Sequence, residues 1–120
     1  MPDDSPQEQY FRMGSSPSRR LTSRVEAPTD VWVYWECHRR KDVSRVRNLS
    51  MGGLFLETPH RFAKGLMAKL HFLVDEGQIR AEAAVRHMEP GDGLGMRFTA
   101  VHQQDGPQLA ALVNRLRSLR

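Results

Sequence analysis

Three guanidinium groups fall within six residues, at Arg19, Arg20 and Arg24. Arginine presents a planar fork of donors that pairs bidentately with a phosphate or with the O6/N7 edge of guanine, which a lysine ammonium cannot imitate. The chain carries 15 Arg against 3 Lys and a net charge of +4, so its cations suit planar anionic partners. A GC-rich coding bias gives the same composition, and a basic run ahead of a strand is ordinarily a solvated one, so position has to decide. A second cluster, Asn48-Leu49-Ser50-Met51-Gly52-Gly53, sets an amide and a hydroxyl beside two glycines. It reads as a simple turn with local side-chain bonds and glycine at positive φ, as a bare surface flanked by hydrogen-bonding groups, or as both.

Other chemistry finds little footing. The single cysteine, Cys37, builds no internal disulfide and lies in an apolar run without a His-Asp arrangement, which reads as a small buried hydrophobe in a reducing compartment. The five histidines, 38, 60, 71, 87 and 102, show no HxxxH, HExxH or Cys/His spacing and read as scattered surface residues, so no metal site is expected. Carboxylates are dispersed, and no nucleophile-base pair, phosphate loop or dinucleotide fingerprint occurs. The expectation is therefore a protein that is not an enzyme and carries no cofactor. Trp32, Tyr34 and Trp35 offer a stacking platform or, more simply, core.

These residues need a frame. Residues 1 to 18, rich in Pro and Ser with few apolar side chains, read as a disordered leader in which only Tyr10, Phe11 and Met13 are sticky. From Pro28 the period is two. Val31, Val33, Trp35 and Cys37 alternate with Trp32, Tyr34 and Glu36, "HRRKD" (38 to 42) reads as a charged hairpin turn, and Val43 to Leu49 resumes as a strand. Leu54 to Glu57 follows. Then Leu70, Phe72 and Val74 face inward, as do Ile79, Ala81, Ala83 and Val85. After the turn "EPGDG", Leu94, Met96, Phe98 and Ala100 do the same. Six short strands joined by tight turns predict an all-β-dominated, six-stranded antiparallel barrel over residues 19 to 120. The period then changes: Leu109, Leu112, Val113, Leu116 and Leu119 form one stripe of a C-terminal helix at about 105 to 119, with Asp105 as N-cap and Arg115, Arg117 and Arg120 in the last turns. That stripe suits packing across a mouth or flank of the barrel.

Arg20 and Arg24 are spaced RxxxR with Arg19 in front, and about 24 residues on, Asn48 to Gly53 spells NxSxxG. The pair resembles the signature of the PilZ domain, RxxxR followed after one hairpin by [D/N]xSxxG. The resemblance runs from Ser18 to Arg120, including "GLFLET", "GLGMRF" and the closing helix. It implies a receptor for cyclic di-GMP. Arg19, Arg20 and Arg24 would take Hoogsteen edges and phosphates, Asn48 and Ser50 the other side of a guanine, and Gly52 and Gly53 would belong to the same turn, Gly53 keeping the surface bare for a purine. Many members carry Asp where this chain has Asn48, which removes charge assistance from one hydrogen bond, a change of roughly 1 kcal/mol. In this family the residue before RxxxR influences whether one ligand or a stacked pair is bound, and Arg19 favours the pair.

Two further readings stay open. A small basic barrel with aromatics also describes modules that bind single-stranded nucleic acid, although these spread cations along a groove, whereas here the motif cations cluster beside one glycine turn. A ligand-independent PilZ adaptor works by protein contacts, but such degenerate members lack the arginines and the Ser-Gly motif that this chain retains. The N-terminus has no signal-peptide pattern, and no apolar run approaches a membrane span, so a cytoplasmic protein is expected that passes its signal to a separate protein partner.

Overall fold

The structure is a computed structural model that describes residues 10–12, 24–27 and 31–118. Eight strands and one helix occur among them: β1 (Tyr10–Arg12), β2 (Val25–Glu26), β3 (Trp32–Cys37), β4 (Arg40–Leu49), β5 (Gly53–Glu57), β6 (Met67–Leu73), β7 (Ile79–Glu89), β8 (Gly93–His102) and α1 (Gly106–Ser118). The order β8-β5-β4-β3-β6-β7 closes through a β7–β8 pairing, which gives the expected six-stranded antiparallel barrel. Closure leaves no long unpaired edge. The period-two residues fill the interior: Val31, Val33, Trp35, Leu70, Phe72, Ile79, Ala81, Ala83, Val85, Leu94, Met96 and Phe98 are all 3% exposed or less. Trp35 belongs to this core and donates its indole N–H to Ser44 Oγ at 2.9 Å, whereas Trp32 points outward and is 43% exposed.

Two strands lie outside the closed ring. β2 pairs with the end of β4, Val25 opposite Leu49 and Glu26 opposite Asn48. β1 pairs with the end of β8, Tyr10 opposite His102 and Arg12 opposite Ala100, within the stretch read from composition as a leader. Strand addition explains this: main-chain hydrogen bonds to a neighbouring edge need little apolar content. The remainder of residues 1 to 18 lies outside the described residues.

Several sequence expectations shift by local backbone events. The β3–β4 turn is only His38–Arg39, with φ of 49° and 70°, and residues 40 to 42 are paired strand rather than loop. β7 continues to Glu89, past the Val85 expected to close its alternation. In β8 the register slips between Glu82 and Ala83 of its partner, so Thr99 is the extra residue of a bulge; Val101 rather than Ala100 reaches the core. A second slip, between Val46 and Asn48, makes Arg47 the extra residue of β4. Consequently Arg47 and Asn48 both leave the interior, and the next core residue after Val46 is Leu49.

The helix α1 buries Leu109, Leu112, Val113 and Leu116 and packs on β2 and β7, so its stripe is core. Pro107 sits in its first turn, where a missing N–H is harmless. Asp105, 2% exposed, does not spend its carboxylate as an N-cap on the helix. The carboxylate instead accepts from Arg80: the backbone N–H at 2.9 Å, Nε at 2.8 Å and Nη2 at 3.2 Å. Burial alone would raise the Asp105 carboxyl, but the Arg80 bonds outweigh it and hold it below the usual carboxylate range. His102, expected at the surface, is buried in the same cluster, with Nδ1 3.1 Å from Arg80 Nη2. Cys37 is buried as expected, and desolvation pushes its thiol pKa up. Among the described residues no helix is long and apolar enough to cross a membrane, and no group of three or more His, Cys, Asp or Glu is placed to hold a metal ion.

Candidate functional site

The tight connection Ser50–Gly53 joins β4 to β5 and is closed by the Ser50 N–H donating to the Gly53 carbonyl at 2.9 Å. Ser50 is buried, and its Oγ accepts the Gly52 N–H at 3.0 Å, so the hydroxyl shapes the turn from beneath. The Gly52 carbonyl accepts from the Phe98 N–H at 2.8 Å, which ties the turn to β8. Its shape is thus fixed by four backbone groups of its own, the Ser50 hydroxyl and one N–H from a neighbouring strand.

Arg24 stands one residue before Val25, whose partner is Leu49, so β2 delivers it to the edge of this turn. Its Nη1 donates to Asn48 Oδ1 at 2.8 Å. The two sequence clusters therefore meet through one side-chain bond between residues 24 apart in the chain. Partial desolvation draws the Arg24 guanidinium below its ordinary pKa, while an arginine remains charged at any physiological pH. The neutral Asn48 leaves that charge uncancelled, where a carboxylate would have neutralised it.

The two glycines of the turn serve different ends. Neither Gly52 nor Gly53 sits in the left-handed region, so the turn does not use them for positive φ. Gly53 is buried rather than open: a Cβ there would lie 2.1 Å from the Met96 carbonyl oxygen and 3.1 Å from Arg97 Cα. Its missing side chain is required by the close approach of β5 and β8, not by a bare outer surface. At Gly52 a Cβ would meet nothing nearer than Ser50 Oγ at 3.6 Å, an ordinary contact. Among the described residues, the space above Gly52 is the open part of the turn.

Arg19 and Arg20 lie outside the described residues. Of the remaining expected site residues, Arg24, Asn48, Ser50, Gly52 and Gly53 are brought together around one turn. Neighbouring arginines are differently employed. Arg47 pairs with Asp92 at 2.7 Å and Glu57 at 3.3 Å while its guanidinium lies 4.5 Å from the Phe55 ring centroid. The Asp92 bond raises the Arg47 pKa, and the same bond lowers that of Asp92. Arg45 reaches Glu57 at 3.6 Å. The strand register also sets Phe55, of the GLFLET stretch, opposite Asn48 and Arg97, of the GLGMRF stretch, opposite Gly53.

A hollow of about 330 Å³ lies elsewhere, between Glu36–Arg39 and Met67–Lys69, and holds none of the clustered residues. The turn sets a fixed amide–guanidinium pair at one edge and, among the described residues, leaves the space over Gly52 open. That arrangement suits a planar, anionic ligand lying on the barrel wall.

A family model described as the PilZ domain matches residues 8–115. Among solved structures, the PilZ domain of CeSA from a cellulose-synthesizing bacterium superposes with a TM-score of 0.61, covering 80% of this chain and 99% of that one at 18% identity, a likeness of fold. No curated protein matches the chain.

Proposed function

The chain belongs to the PilZ domain family, and on that premise we propose that it is a cyclic di-GMP receptor and adaptor, a binding module rather than an enzyme. The single observation that carries this reading is the 2.8 Å bond from Arg24 Nη1 to Asn48 Oδ1, which joins the RxxxR and NxSxxG clusters into one surface. Cyclic di-GMP offers two phosphates and two guanines, and an arginine fork serves both. Arg24 donates to a phosphate or a Hoogsteen edge. The Asn48 amide oxygen faces a guanine N–H edge, Ser50 and Gly53 hold the turn in shape, and Gly52 lets the purine approach the backbone.

Arg19 and Arg20 are proposed to complete the grip from the N-terminal arm, and Arg19 adds the cation that favours a stacked pair of ligands. Capture of the ligand by these arginines changes the conformation of the arm in the cytoplasm, and a separate protein partner reads that change. Ligand should then slow proteolysis within residues 1 to 24.

The deciding experiment is a calorimetric titration of cyclic di-GMP into the wild-type protein and into Arg24→Ala, with GMP and a short single-stranded oligonucleotide as controls. Saturable heat specific to cyclic di-GMP is expected, weakened about 10- to 100-fold in Arg24→Ala through loss of charge-assisted hydrogen bonds. Silence at tens of micromolar ligand would overturn the reading in favour of a protein-contact adaptor, and heat from the oligonucleotide alone would favour a nucleic-acid module.

A further inference from the structure

On the far side of the turn from Arg24 stands a second arginine that belongs to neither motif. Arg97 lies on β8 directly opposite Gly53 in the β5–β8 register. The following residue, Phe98, donates its N–H to the Gly52 carbonyl at 2.8 Å, which fixes this part of β8 against the turn. On its other flank Arg97 faces Ala84 of β7. Its cross-strand neighbours are thus a glycine and a methyl group, and neither supplies a counter-charge or hides the side chain. Arg97 is exposed.

Some of the other outward arginines are committed to carboxylates. Arg45 and Arg47 face Glu57 and Asp92, Arg80 faces Asp105, and Arg115 pairs with Glu76. Among the described residues Arg97 has no acidic partner within ion-pair distance. The sheet runs β2-β4-β5-β8 across the site, so Arg24 and Arg97 stand three strand spacings apart, about 14 Å at roughly 4.8 Å each. The two residues flank the turn that carries Gly52, Arg24 beside its β4 end and Arg97 opposite Gly53.

Resting on the reading of this turn as a cyclic di-GMP site, we infer that Arg97 is a further ligand-binding residue, contacting a phosphate or guanine edge from the barrel wall opposite Arg24. The turn then holds a two-phosphate ligand between one arginine delivered by the β2 edge and one anchored on a central barrel strand. A mononucleotide with a single phosphate cannot span both.

The test is a titration of cyclic di-GMP into wild type, Arg97→Gln and Arg86→Gln, with melting of each ligand-free protein as a control on folding. Arg86 is also exposed and cationic but sits at the bulge of β7, one strand beyond β8. Arg97→Gln is expected to weaken binding about tenfold or more through loss of a charge-assisted contact, with unchanged melting, while Arg86→Gln changes binding less than threefold. Binding by Arg97→Gln within twofold of wild type would overturn the inference and leave the receptor reading intact. Equal weakening by both variants would also overturn it, since diffuse charge would then suffice, and silence of the wild-type protein would remove both readings together.

Discussion

Two turns of this barrel solve the same problem in opposite ways. The β3–β4 turn reverses the chain in two residues, His38 and Arg39, and both are held at positive φ although neither is glycine. Such conformations cost an L-residue roughly 1–2 kcal/mol, which is why Asn-Gly dominates two-residue hairpins of this kind. The β4–β5 turn has two adjacent glycines and places neither in the left-handed region. Glycine is thus missing where backbone conformation calls for it and present where it does not. The lesson is that Gly52 and Gly53 are kept for space. For Gly53 the space is filled by β8, while for Gly52 no described residue fills it.

The strongest way to break this distinction is Gly53→Ala. Its Cβ would be driven onto the Met96 carbonyl oxygen, a backbone atom that cannot swing aside. Overpacking of this sort costs about 1–3 kcal/mol or more, and the expected result is a melting temperature lower by about 10 °C. Melting within 2 °C of wild type would show that β5 and β8 separate easily there, and the glycine would lose its structural explanation. The other turn gives a smaller effect of opposite sign. The double substitution His38→Asn/Arg39→Gly relieves both left-handed residues and should stabilise by about 1 kcal/mol, read as a higher denaturant midpoint at constant slope. Cyclic di-GMP affinity should not move, because this hairpin lies away from the Ser50–Gly53 turn, at the opposite end of β4. A fall in affinity would tie the two turns together and dissolve the comparison.

Much of the barrel was legible because alternation survives wherever a strand is regular: Val31 to Cys37 and Ile79 to Val85 are buried on the residues that period two selects. Legibility fails at bulges. One extra residue at Arg47 or Thr99 reverses the parity of everything beyond it, and no residue type announces the insertion. The pairing of β1 with β8 was equally hidden, since it rests on main-chain bonds at a strand edge. In the site, motif spacing was enough to bring Arg24 to Asn48, because β2 and β4 are short-range partners across one strand and its turn. The packing role of Gly53 is not legible, since its neighbour Met96 is 43 residues away in sequence and enters only through closure of the barrel. Asp105 does stand at the N-cap position, its carbonyl accepting from the Leu109 N–H, but the use of its carboxylate is hidden for the same reason, since Arg80 faces it only in the fold.

The most direct measurement is Gly52→Ala, followed by both melting and titration with cyclic di-GMP. A Cβ at Gly52 clears its surroundings and φ is compatible, so the ligand-free protein should melt at the wild-type temperature or gain up to about 1 kcal/mol from a stiffer unfolded chain. On the proposed pose, affinity should fall about tenfold, because the methyl group would occupy the space assigned there to the purine. A protein that loses stability in step with affinity would contradict this, since the fold itself would then need Gly52; so would one that melts and binds like wild type, since the open space above the turn would serve no ligand.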